Sequence, residues 1–198
     1  MPSRMEALRA PLAAAGFLVV VACGDNLAPV EAEPDPCDVE VRSFELEPGR
    51  HFPPGTALTW SSNPPATGSH YGIWARWGRT YPEPVPRGHW VHNLEHGGVV
   101  LLHRCPDGCP DDVAAIEAVV AELPVDPLCA PARPTRTLIT PDPELPPDIR
   151  IAAAAWGWTY TATCVDATSL RAFIDEHYAD APENTCAEGG YPASVAAP

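Results

Sequence analysis

Residues 91–104 read VHNLEHGGVVLLHR, and the change of pattern inside them decides the fold. The second half, GVVLLHR at 98–104, is a continuous β-prone run without polar alternation, the pattern of an interior strand buried on both faces. The first half sets His92 and His96 four residues apart with Glu95 between them. On a helical turn all three share a face, whereas on a strand the carboxylate points away from the two imidazoles. Gly97 suits the left-handed conformation that stops a helical turn. The segment therefore predicts one helical turn and then a strand from Gly98.

Downstream, Asp111 or Asp112 can cap a helix whose apolar residues Val113, Ile116, Val119, Val120 and Leu123 fall on one side, ended by Pro124. Residues 136–140 form a short strand. IRIAAAAWGWTY at 149–160 is a second one, reached through the proline-rich PDPELPPD. Residues 169–178 form a helix with Leu170, Phe173, Ile174 and His177 on one side. The order after residue 97 is β-α-β-β-α, which predicts an α+β domain: a mainly antiparallel sheet with two helices packed on one face.

Upstream, CDVEVRSFEL at 37–46 alternates as a strand does, with Val39, Val41 and Phe44 as its apolar side. Residues 48–88 are crowded with proline, glycine and aromatics, including Trp60, Trp74 and Trp77. Proline interrupts both helices and ladders, so this stretch reads as a long ordered loop with at most a short hairpin or turn. Long loops inside compact domains are often functional.

The ends belong to a different economy. Residues 1–22 read as an export signal: Arg4 and Arg9, then the apolar run PLAAAGFLVVVA, shorter than the roughly 20 residues a membrane-spanning helix needs. The run ends in Val20-Val21-Ala22-Cys23, which resembles the lipobox of bacterial lipoproteins, and that resemblance implies lipidation at Cys23 and a membrane anchor there. An ordinary cleaved signal and an uncleaved anchor are the alternatives. Residues 24–36 are an acidic, proline-rich spacer, 37–188 the size of one globular domain, and 189–198 a flexible tail. This organisation places the domain in the cell envelope, on the periplasmic or outer-surface side.

Lipidation of Cys23 leaves six of the seven cysteines: Cys37, Cys105, Cys109, Cys129, Cys164 and Cys186. In an exported domain an even set is most simply three disulfides. Cys105 and Cys109 enclose a Pro-Asp-Gly turn and can pair locally, or serve as thiolate ligands where conditions are reducing. The formal charge of -14, carried with twelve arginines and no lysine, leaves no basic patch. That argues against nucleic acid and against electrostatic docking to anionic lipid.

The remaining chemistry is in the histidines. His92 and His96 need a third protein ligand to hold a metal, and His70, at the end of the turn-rich NPPATGSH, is the best placed. Glu95 completes the set, with His89 and His103 in reserve; His103 and His177 otherwise read as packing residues, and His51 has no supporting neighbours. The ion such a set suits is copper or zinc. The opposing reading has these side chains hydrogen-bonding loop backbone, with Trp60, Trp74, Trp77, Tyr71 and Tyr81 offering a platform for a protein or glycan partner. The letters His92-x-x-Glu95-His96 also match a zinc-peptidase signature, but that chemistry needs a long helix, and glycines and a β-run follow here. Whether the chain is an enzyme stays open.

SNPPATGSH at 62–70 followed by WVHNLEHGGVV at 90–100 resembles the bacterial family catalogued as domain of unknown function 3105. Its members pair an Asn-Pro-Pro-x-x-Gly-x-His segment with a His-Asn-Leu-Glu-His-Gly segment, and this chain departs at Ser69, where proline is common. The resemblance implies a shared site at His70, His92, Glu95 and His96 and names no activity.

Overall fold

The structure, a computed structural model, describes residues 37–192. The export segment, Cys23 and the spacer lie outside the described residues, as does the tail from residue 193. Strands β1 (Glu40–Ser43), β4 (Arg79–Thr80), β5 (Val99–His103), β6 (Thr137–Pro141), β7 (Ile151–Ala155) and β8 (Trp158–Ala162) form one sheet. Its order is β1-β8-β7-β5-β6-β4, antiparallel from β1 to β5 and parallel from β5 through β6 to β4. Two short parallel strands, β2 (His51–Phe52) and β3 (His70–Tyr71), lie apart from it. The helices are α1 (Arg87–Glu95), α2 (Pro110–Ala121) and α3 (Ala167–His177). No helix among the described residues is long and apolar enough to cross a membrane.

The mixed α+β content and the mainly antiparallel sheet match the expectation; the coverage of the sheet differs. Val99 and Leu101 of β5 pack with Ile116 and Val119 of α2 and with Leu170, Phe173 and Ile174 of α3. Val100 and Leu102, pointing the other way, pack with Trp90, Val91 and Leu94 of α1. Two helices do share one face, and a third covers the opposite one. The unbroken run in β5 requires this, because each of its faces must be taken out of water.

Two further corrections concern turns. The stretch 149–160 is two strands, β7 and β8, joined by Trp156 and Gly157, so the order after residue 97 is β-α-β-β-β-α. Gly157 has φ +82°, a left-handed conformation that glycine adopts freely and that reverses the chain here. The residue before α2 is Cys109, with Pro110 first in the helix and Asp111 and Asp112 in its first turn. Upstream, β1 is an exposed edge strand in which Val41 faces solvent. The short element in the 48–88 region is the parallel β2–β3 pair rather than a hairpin, and the same region also contributes β4 to the main sheet.

The six cysteine sulfurs are paired as Cys37–Cys164, Cys105–Cys109 and Cys129–Cys186. The first ties the start of the domain to the end of β8, and the third holds the segment after α3. That segment leads to Tyr191, which bridges Ala75 and stacks on His89 at 4.0 Å, so the tail begins docked.

Candidate metal centre

Helix α1 is longer than the single turn its sequence suggests, and eight of its nine residues are buried, from Gly88 to Glu95. It is stopped as expected. Gly97, at φ +81°, donates to Leu94 O at 2.9 Å and Gly98 donates to Asn93 O at 3.0 Å, the paired bonds that close a helix C-terminus. Its polar side chains engage the extended segment that runs on from β3. His92 Nδ1 donates to Tyr71 O (2.6 Å) and His89 Nδ1 to Ile73 O (2.5 Å). Asn93 exchanges two 2.9 Å bonds with the Ala75 amide and carbonyl. Alternate carbonyls of one extended segment thus meet successive polar residues of one helix.

This interlock carries His70 over the helix, and the β2–β3 pairing sets His51 directly opposite His70. The imidazole centroids of His51, His70 and His92 lie 4.5–4.8 Å apart. Glu95, one turn on from His92, brings its Oε2 to 3.0 Å from His70 Nε2 and 3.5 Å from His51 Nε2. One ligand atom from each of His51, His70, His92 and Glu95 lies within 4.8 Å of all the others, close enough for the four to hold a metal ion. The approach of the chain at Gly49 is part of the construction, because a Cβ there would collide with Glu95 Oε1.

Hydrogen-bonding capacity decides what this cluster lacks. His70 Nδ1 lies 2.8 Å from the Gly68 carbonyl, which only accepts, so Nδ1 carries the hydrogen and Nε2 presents a lone pair. That lone pair faces a carboxylate oxygen at 3.0 Å, and both atoms are buried without a hydrogen-bond partner. Two acceptors held this way repel unless a positive centre lies between them. A proton is disfavoured: burial holds His70 below the ordinary imidazole value, although the Gly68 carbonyl and Glu95 pull the other way. Burial pushes His92 down to about 3, with the neighbouring imidazoles adding to it and the Tyr71 carbonyl opposing it. Burial thus favours the neutral forms of His70 and His92, and Nδ1 of each is tied to a backbone carbonyl. Metal-binding imidazoles are oriented in this manner.

The expected set is divided. His70, His92 and Glu95 come together, while the Nε2 of His96 lies 3.1 Å from Glu183 and this ring groups with Glu95 and Glu183. His51 takes the place expected of His96. Nothing in the sequence around His51 marks it, since its proximity follows from a two-residue parallel pairing that has no turn signature. Of the reserves, His89 is a backbone staple, and His103 Nδ1 lies 3.6 Å from Cys109 Sγ beside the Cys105–Cys109 disulfide. His177 packs between Trp158 and Phe173.

The loop aromatics are structural members. Trp77 and Tyr81 are buried, and the indole N–H groups of Trp74 and Trp77 both donate to Ala187 O, that of Trp60 to Ser69 O. The Tyr71 and Tyr81 hydroxyls donate to Thr56 O and Arg76 O. Their polar edges hold the loops together.

The model of the family described as "Protein of unknown function (DUF3105)" matches residues 51–190, well over half of the chain. The matched span runs from His51 past Glu183 and so contains every ligand candidate above. No curated protein and no solved structure matches the chain.

Proposed function

The chain belongs to the DUF3105 family of proteins of unknown function, and from that premise we propose that it binds a transition metal, copper or zinc, through His51, His70, His92 and Glu95. The observation that carries this reading is the buried pair of unpartnered acceptors, His70 Nε2 and Glu95 Oε2, facing each other at 3.0 Å. A cation bonded to both turns that repulsion into attraction. Three imidazoles and one carboxylate are a donor set suited to zinc or copper(II). The side chain of His51 is 55% exposed while that of His70 is fully buried, so the ion would enter on the His51 side and remain open to exchange there.

The lipobox-like Val20-Val21-Ala22-Cys23 supports an envelope location, with the domain anchored to a membrane through acylated Cys23. Cys23→Ser should then release the protein from the membrane fraction.

Full-length protein isolated with its disulfides intact and without chelator should carry near-stoichiometric copper or zinc by elemental analysis. Metal-free protein that also ignores both added ions would overturn the reading. His51→Ala is the cleanest variant because the ring is exposed. It should weaken metal binding at least by the roughly 10–100-fold that loss of an outer-shell partner costs, with the melting temperature of the metal-free protein unchanged.

A further inference from the structure

We propose, resting on that reading, that the centre takes two cations, with Glu95 the carboxylate they share and the second ion held by Glu95, His96 and Glu183. One ligand atom from each of these three residues lies within 4.8 Å of the other two, so Glu95 belongs to both ligand groups. The second group is not a chance encounter of surface acids. His96 has a side chain only 4% exposed, its Nε2 is 3.1 Å from Glu183 Oε2, and its Nδ1 is buried without any partner. If Nε2 carries the hydrogen for Glu183, a buried lone pair is left on Nδ1. If Nδ1 carries it, the lone pair on Nε2 faces a carboxylate, which repeats the arrangement of His70 against Glu95. Neither neutral tautomer is satisfied by protein atoms alone.

The segment bearing Glu183 is fixed at successive points. The Glu183 amide donates to Glu95 O at 3.0 Å, which ties one ligand's backbone to the other's. Arg136 Nη1 donates to both Asn184 Oδ1 (2.6 Å) and His96 O (2.9 Å). Cys186 is bonded to Cys129, and Ala187 O accepts from Trp74 and Trp77. A merely solvated glutamate needs none of this. The Trp74 ring lies against both His92 and His96, at 4.9 and 4.5 Å between centroids, and so spans the two groups. With one imidazole and two carboxylates, the second group is harder than the first and suits divalent zinc, manganese or iron.

The test is the zinc stoichiometry of the full, oxidised chain, stripped of metal and re-equilibrated with Zn²⁺, measured by elemental analysis and by titration calorimetry. Two zinc ions per chain are expected. Glu183→Gln, a nearly isosteric change at a half-exposed side chain, should bind one, and Glu95→Gln should weaken both. A single zinc unaffected by Glu183→Gln overturns the second ion and leaves the His51, His70, His92 centre standing. Two ions retained in Glu183→Gln also overturn it, because the extra ion then binds elsewhere. Protein that takes up no zinc or copper overturns the centre itself. In the manganese-loaded protein, spin coupling between two ions should appear and should vanish in Glu183→Gln.

Discussion

Helices α3 and α1 cover opposite faces of the same strands, and they do it by different means. In α3 the four buried residues are Leu170, Phe173, Ile174 and His177, on one side, while Arg171 and Asp175 pair on the other. In α1 the burial runs from Gly88 to Glu95 without a break and takes in His89, His92, Asn93 and Glu95. One helix is held by apolar area. The other is roofed by the 48–88 region and by residues after α3, and its polar groups are hydrogen-bonded to that roof. Burial of polar residues is costly unless every group is satisfied. On α1 two side-chain atoms are left without a partner: Trp90 Nε1, within the apolar core, and Glu95 Oε2, which meets the equally unpartnered His70 Nε2 and lies near His96, whose Nδ1 is also unpartnered, at the proposed centre.

The largest effect should come from breaking the link between these two regions. Arg136 is 2% exposed; its Nε donates to Asp126 Oδ2 at 2.8 Å, and Nη1 reaches His96 O and Asn184. The Tyr178 hydroxyl, at the end of α3, donates to the same Asp126 oxygen at 2.8 Å. Burial pushes the Asp126 carboxyl up, but the Leu128 amide, the Tyr178 hydroxyl and Arg136 outweigh it and hold it below its usual value. Arg136→Met strands that charge, and urea unfolding should show a loss of about 3–5 kcal/mol. A loss under about 1 kcal/mol would mean that the two faces are stabilised independently.

The next pair of variants separates the two regions. Leu170→Ala, fully buried in α3, should cost about 2–5 kcal/mol and leave metal affinity unchanged. Asn93→Ala strands the Ala75 amide and carbonyl and should cost about 2–4 kcal/mol. It should also weaken metal binding, because that bond pair fixes α1 against the segment carrying His70. Equal metal affinity in the two variants would remove the distinction drawn between the faces.

What could be read from the chain follows the same division. Leu170, Phe173 and Ile174 repeat at helical spacing, and 99–102 is uniformly apolar, so α3 and β5 are visible as sequence patterns. The extent of α1 is not, because RGHWVHNLE has no apolar stripe and its burial comes from residues distant in the chain. His70, His92 and Glu95 were visible through residue type and spacing. His51 and Glu183 were not: one arrives by pairing across 19 positions to His70, the other through the loop after α3. The missed turn at Trp156-Gly157 had a signal, since a twelve-residue run is about twice the usual strand and holds a glycine in its interior, at Gly157.

The smallest expected effect concerns acid. Burial holds His70, His89, His92, His96, His103 and His177 below the ordinary imidazole value. The unfolded chain takes up protons near pH 6.5 that the folded chain refuses, so the metal-free protein is fully stabilised above that pH. It should weaken steadily as pH falls towards 3, where His92 at last protonates. Four of these rings lie in the α1 region and only His177 lies on α3, stacked on Trp158 at 4.4 Å with its Nε2 unpartnered. His177→Phe, which keeps the aromatic packing, should reduce the slope of stability between pH 6 and 5 by no more than one proton's worth, about 1.4 kcal/mol per pH unit. Most of the acid sensitivity should survive in this variant, because it originates on the other face of the sheet. Unfolding of metal-free protein across that pH range measures it, and a slope abolished by His177→Phe would place the sensitivity on α3 instead.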